Sequence, residues 1–196
     1  MMPSSTDLSQ LSANDNQRYF TRRSLLPSDQ SHLWQINSGF VMTNTYLEDG
    51  TMIALGLWGA GDIVGESLTK IKPYQAQCLT SVEASLVFAQ DWNQSKTDWL
   101  KHIEQAEELM VIRGNKKVET MLTQLLVWLS KKFGSQVEQG RLIDMRLTHE
   151  DLAGLISSSR VTVTRLLGQL EQEKVIERKS LNRIIVHQED IWYYEI

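Results

Sequence analysis

Two arginines five positions apart, Arg160 and Arg165, bracket the stretch Val161-Thr162-Val163-Thr164, with three serines before it and Leu166-Leu167-Gly168-Gln169-Leu170 after it. A guanidinium is a planar fork of donors that can pair with O6 and N7 of guanine. A small apolar side chain can meet a thymine methyl, and Ser or Thr hydroxyls can reach phosphates. The alternation of Val and Thr suits a half-buried strand, yet the flanks read as a capped helix. At helical spacing Val163, Leu166, Leu167 and Leu170 fall at i, i+3, i+4 and i+7 and make one continuous apolar face. A strand would put Leu166 and Leu167 on opposite faces and end before Leu170. The helix reading therefore prevails, with Ser158 or Ser159 supplying the N-cap oxygen. Its outer side collects Val161, Thr164, Arg165 and Gly168, with Arg160 and Thr162 in the same first turn. Gly168 would let the helix approach a groove without a side chain in the way.

A helix so poor in strong helix formers needs packing to hold it. Leu152, Leu155 and Ile156 of a preceding helix over 148–156 can supply that, with Thr148 and Asp151 capping its start. A short strand at 142–146 precedes the pair, residues 157–159 turn between them, and a hairpin of 175–178 with 183–187 follows. Helix, short turn, helix, hairpin is the order of a winged helix-turn-helix. Upstream, Val118, Met121, Leu122, Leu125, Trp128 and Leu129 mark a helix ending near Phe133-Gly134. Trp99, Ile103, Ala106 and Met110 give another helix over 99–113 with an apolar seam, and Gly114-Asn115 separates the two. From about residue 20 to 90, short β-branched runs alternate with Gly, Asp and Asn turns at intervals of roughly 10 residues, which indicates an antiparallel sandwich or barrel. Residues 1–17, rich in Ser, Asn, Asp and Gln, read as a frayed, disordered tail. The division expected is a tail at 1–17, a β domain with its helix (about 92–114) at 18–114, and a winged helix-turn-helix at 115–196.

Charge is distributed unevenly. Residues 1–112 carry seven Lys/Arg against thirteen Asp/Glu, 113–183 carry thirteen against eight, and 184–196 carry three acids and no base. A basic block inside a chain of net charge −4 fits a polyanionic partner, and a solvated mixed-charge surface fits it equally. The lone Cys78 leaves no cysteine set for an internal disulfide or an iron–sulfur cluster. No apolar run has the length of a membrane span, and the first residues lack the apolar core of a secretory signal, so a cytoplasmic protein without membrane contact is expected. No nucleophile motif, metal-ligand pair or phosphate-cradling glycine loop suggests an enzyme.

The run LTHEDLAGLISSSRVTVTRLLGQLEQEKVIERK resembles the helix-turn-helix and first wing strand of the CRP/FNR superfamily of bacterial transcription regulators, and SRVTVTRLLG is most similar to its cyanobacterial nitrogen-control (NtcA-like) branch. The likeness extends over the chain beyond about residue 20. Pro27-Ser28-Asp29 resembles the family's Pro-Gly-Asp turn, and Gly61-Asp62-Ile63-Val64-Gly65-Glu66 its Gly-Asp…Gly-Glu element. The resemblance implies an α+β fold: an N-terminal antiparallel β-roll of the cyclic-nucleotide-binding type, shortened at its start, a central dimerisation helix and a C-terminal winged helix-turn-helix. It implies a homodimer, joined through helix 99–113, that binds double-stranded DNA at a palindrome of the GTA…TAC kind, with RNA polymerase as a further partner. By the same resemblance Arg160, Val161 and Arg165 read bases, with Val161 standing where the cyclic-AMP branch has glutamate. Ser159, Thr162, Thr148, His149 and Lys179 touch the phosphate backbone, and Thr164 lies on the same DNA-facing side.

The sensor end departs from the pattern. Where cyclic-nucleotide binders have an Arg-Ser pair to grip phosphate, this chain has Tyr74-Gln75-Ala76, and it has no arginine between Arg23 and Arg113. A buried phosphate would lack its fork, which argues against cyclic AMP. A 2-oxoglutarate sensor would draw on Lys72, His102 and Arg113, with Gly65 and Glu66 beside them. No cofactor is expected, and a regulator without an effector stands as an alternative. A different class, a module whose winged helix docks a protein, also remains open.

Overall fold

The computed structural model describes residues 16–88 and 96–187. The proposed tail therefore lies outside the described residues apart from its last two positions, as do residues 92–95 of the expected helix and 188–196 of the winged unit. Trp99 belongs to a described helix, but its side chain is outside the description.

Among the described residues the N-terminal half has seven strands: β1 (Gln17–Phe20), β2 (His32–Ser38), β3 (Val41–Tyr46), β4 (Met52–Trp58), β5 (Ile63–Val64), β6 (Gln75–Cys78) and β7 (Val82–Phe88). They make two antiparallel sheets, ordered β1-β7-β2-β5 and β4-β3-β6. Between the sheets lie Trp34, Ile36, Val41, Trp58, Val64, Ala76, Cys78, Val82 and Ala84, all buried. The alternating pattern of the strands delivers one apolar face per sheet to this layer. Cys78 is part of that packing, and burial pushes its thiol pKa up.

Two long helices follow, α1 (Lys96–Arg113) and α2 (Val118–Phe133). On α2 the buried side is the one the periodicity indicates, with Leu122, Leu125, Trp128 and Leu129 inside. On α1 it is not. Leu109, Ile112 and Gln105 are buried, whereas Ile103 and Met110 of the expected seam are exposed. The Gln105 amide donates to the Leu57 carbonyl, so a polar side chain occupies an inward position with its hydrogen bond made. Leu100, Ile103, Met110 and Val111 form a second apolar stripe on the opposite, solvent side.

The C-terminal unit contains β8 (Ser135–Val137), β9 (Gly140–Ile143), α3 (His149–Leu155), α4 (Arg160–Gln172), β10 (Ile176–Lys179) and β11 (Arg183–His187), with a sheet ordered β10-β11-β9-β8. Residues 135–140, to which sequence periodicity assigns no element, hold β8 and the turn into β9, because backbone pairing of Ser135 with Leu142 and of Val137 with Gly140 needs no apolar alternation. The strand expected at 142–146 ends at Ile143; Arg146 has a left-handed φ of 53° and breaks the extended path. One apolar cluster runs from Met42, Ala54, Leu57 and Leu79 through Leu109 and Ile112 to α2, α3 and α4. The winged unit is thus seated on the roll, and α3 packs across β4, where a Cβ on Gly154 would lie 2.2 Å from Met52 Cε.

Candidate nucleic-acid interface

α3 begins with a capping box. Thr148 Oγ1 accepts from the Asp151 N–H at 3.1 Å, and Asp151 Oδ2 accepts from the Thr148 N–H at 2.8 Å. Three residues connect α3 to the N-cap of α4; among them Ser157 takes a left-handed φ of 52°, turning the chain sharply. Ser159, one of the two serines considered for the cap, is the N-cap and accepts from the Thr162 N–H at 3.1 Å.

α4 buries Val163, Leu166, Leu167 and Leu170, the face derived from spacing. They lie in the same apolar cluster as Leu152, Leu155 and Ile156. The outer side presents Arg160, Val161, Thr164 and Arg165, with Thr162 half-buried. Val161 is 79% exposed, unusual for an isolated valine on a well-packed helix. A Cβ on Gly168 would touch nothing in the protein, so its absence serves no internal packing.

Charges around α4 divide into two kinds. The guanidiniums of Arg160 and Arg165 have no hydrogen-bond or ion-pair partner among the described residues. The wing cations are tethered: Arg178 to Glu171 at 2.5 Å, Lys179 to Glu177, and Arg183 within 3.9 Å of Asp144. Exposed pairs of this sort are worth little and exchange readily for another anion. His149, Arg178, Lys179 and Asn182 line a cleft of about 330 Å³ where α3, α4 and the wing meet. Nδ1 of His149 lies 2.7 Å from Thr164 Oγ1. Thus Arg160, Val161, Thr164 and Arg165 share one surface, and Ser159, Thr162, Thr148, His149 and Lys179 fall around its edge.

The effector candidates do not converge. Gly65 and His102 line a cleft of about 190 Å³ beneath α1, with Thr43, Leu55, Trp58 and Tyr74. His102 stacks on Trp58 with centroids 4.1 Å apart and an interplanar angle of 9°, and burial lowers its pKa, so the ring is neutral near pH 7. Burial likewise raises the Tyr74 pKa, opposed in part by the Gly65 backbone. Glu66 is held by Lys72 and by the Ser28 hydroxyl at 2.9 Å. Arg113 is elsewhere, donating to the carbonyls of Leu155 (2.7 Å) and Ala54 (2.5 Å) at the junction of roll and winged unit. Gly65 has a local reason to be glycine: a Cβ there would meet Leu33 Cδ2 at 2.6 Å.

Sequence reasoning missed Arg22 and Arg23. Arg23 forks onto Asp151 at 2.8 and 2.9 Å, and Arg22 donates to the carbonyls of Leu79 and Arg146. No local pattern in a polar N-terminal segment announces a partner more than a hundred residues away. Among the described residues no helix is long and apolar enough to cross a membrane, and no group of three His, Cys, Asp or Glu side chains is placed to hold a metal.

Comparison with known proteins agrees with this geometry. Residues 122–190 match the model of the Crp-like helix-turn-helix domain. The chain is 37% identical over 174 residues to the regulatory protein CysR of Synechococcus elongatus, covering 87% of this chain and 84% of that one. It is 36% identical to the global nitrogen regulator of a Nostoc species over 85 residues, 43% of this chain and 38% of that one. In fold it is similar to TTHB099, a CRP-family transcriptional regulator from Thermus thermophilus, with a TM-score of 0.74 at 19% identity, covering 87% of this chain and 92% of that one.

Proposed function

Since the chain belongs to the CRP/FNR family of transcription regulators, we propose that it works as a homodimer reading a palindromic DNA site through α4 of each subunit. One observation carries this reading: α4 is locked by a buried face, yet turns two unpaired guanidiniums and an exposed Val161 to solvent. Arg160 and Arg165 read guanines, and Val161 contacts a thymine methyl where a carboxylate would accept from cytosine N4. That combination favours a half-site of the GTA type. Ser159, Thr162, Thr148, His149 and Lys179 hold the phosphates, with Thr164 beside them, and fix the register.

A palindrome needs a twofold partner. The outer stripe of α1 supports one: Leu100, Ile103, Met110 and Val111 are exposed together, at the 3–4 spacing of a helix–helix seam broken once by Glu107. A second copy of α1 covers that stripe. RNA polymerase is the further partner that the resemblance implies for a regulator bound near a promoter. The roll does not take cyclic AMP, because its cleft is lined by no cation and a buried phosphate would go unpaired. Nor does it suit 2-oxoglutarate, since Lys72 is committed to Glu66 and Arg113 lies at the domain junction. The regulator acts without either effector.

Selection from a random duplex library tests the reading. The wild type should enrich a GTA…TAC palindrome, and Arg160→Ala and Arg165→Ala should relax it. Enrichment unchanged in both variants would remove the DNA reading in favour of a protein-docking winged helix. Titrating cyclic AMP and 2-oxoglutarate at fixed salt should leave the affinity unchanged.

A further inference from the structure

One ring beside the DNA-facing helix is held in a specific protonation geometry. Thr164 Oγ1 lies 2.8 Å from the Arg160 carbonyl oxygen. A carbonyl can only accept, so the single hydroxyl proton is committed there, and toward His149 Nδ1, 2.7 Å away, the same oxygen can only accept. Nδ1 of His149 therefore carries a hydrogen. In the neutral ring the other nitrogen, Nε2, has a lone pair and no proton, and it cannot donate to a phosphate. With a second proton the ring donates at both nitrogens, inward to Thr164 and outward from Nε2.

The charges facing the ring oppose that second proton. Arg160 acts on it from α4 and Arg178 from β10, while Glu171, Lys179 and Arg183 line the same cleft. The carboxylate in this set, Glu171, is engaged by both the backbone N–H and the guanidinium of Arg178. On α3 itself, Asp151 is taken by Arg23, while Glu150 is exposed. Partial burial, followed by the charges of Arg178 and Arg160, lowers the His149 pKa from its ordinary 6.5 in the free protein.

We propose that His149 is a proton-linked phosphate contact: it takes up a proton when a DNA backbone phosphate docks at the α3–α4 junction, and positions DNA only as the imidazolium. This rests on α4 being the DNA-reading helix. A phosphate lifts the pKa of the ring in the complex above that in the free protein. Affinity is then greatest below the free-protein value, falls as pH rises through the interval between the two values, and levels off above the bound one.

The test is the affinity of the full chain for its selected duplex, followed by fluorescence anisotropy at fixed salt across mildly acidic to mildly basic pH. The wild type should lose affinity with rising pH, by up to about tenfold per unit per subunit within that interval. His149→Gln keeps a donor but cannot charge, and should be pH-independent and weak. His149→Arg, always charged, should be pH-independent and tight. A flat wild-type profile, or the same slope in His149→Gln, overturns the proposal. Failure of the wild type to prefer any sequence at any pH is a separate result: it overturns the DNA reading, and the proton linkage with it.

Discussion

The outer face of α4 and the cleft beneath α1 are both places where this fold could meet a ligand, and they handle charge in opposite ways. The guanidiniums of Arg160 and Arg165 stand at the surface with no partner among the described residues, on a helix whose other side is fixed by Val163, Leu166, Leu167 and Leu170. At the cleft, the nearby charges of Glu66 and Lys72 satisfy each other, and His102 stacks neutral on Trp58. A free cation on a rigid element is preorganised for an anion it has yet to meet. A paired one must first give up its pair, which offsets part of the gain in binding. The α4 face, not the cleft, is the one built to meet an anion.

Substitutions test that contrast from both sides. The largest effect should come from the hidden side of α4: Leu167→Ala, at a fully buried position, should lower unfolding free energy by about 2–5 kcal/mol in urea titration and take DNA binding down with the fold. Arg160→Ala or Arg165→Ala should leave the urea midpoint nearly unchanged while costing about 1–3 kcal/mol of specific over non-specific DNA affinity. Equal losses of specific and non-specific binding would instead make these two residues mere phosphate contacts. In the roll, Gly65→Ala should destabilise by about 1–3 kcal/mol through its clash with Leu33, seen as a lower melting temperature with or without added small molecules. Lys72→Ala should be the mildest, within about 1 kcal/mol of stability and without effect on DNA affinity, since its pair with Glu66 is half exposed. A marked loss of DNA affinity there would show that the roll's charges matter to the reading end after all.

The two ends also differ in how openly the sequence displays them. In the winged unit, the capping box Thr148/Asp151, the N-cap at Ser159 and the i, i+3, i+4, i+7 face of α4 are all local features, and each appears in the structure. The roll and α1 depend on distant partners. α1 is apolar on two sides, so periodicity finds a seam without saying which neighbour it meets; Ile103 and Met110 turn outward, and Gln105 turns inward onto Leu57. β8 was hidden for a similar reason: Ser135-Gln136-Val137 has no alternation, and its strand character comes from pairing with β9.

Residue spacing and caps were enough to specify the winged helix-turn-helix, the helical register of the Val-Thr-Val-Thr stretch and the residues facing outward from it, because a helix and its faces are set over short range. Only in the folded chain do Arg23 and Arg113 grip the two ends of α3, Lys72 pair with Glu66, and His149 Nδ1 meet the Thr164 hydroxyl. Each of these depends on which donor reaches which acceptor across many residues of chain. Pairing in space is not encoded in the order of neighbours.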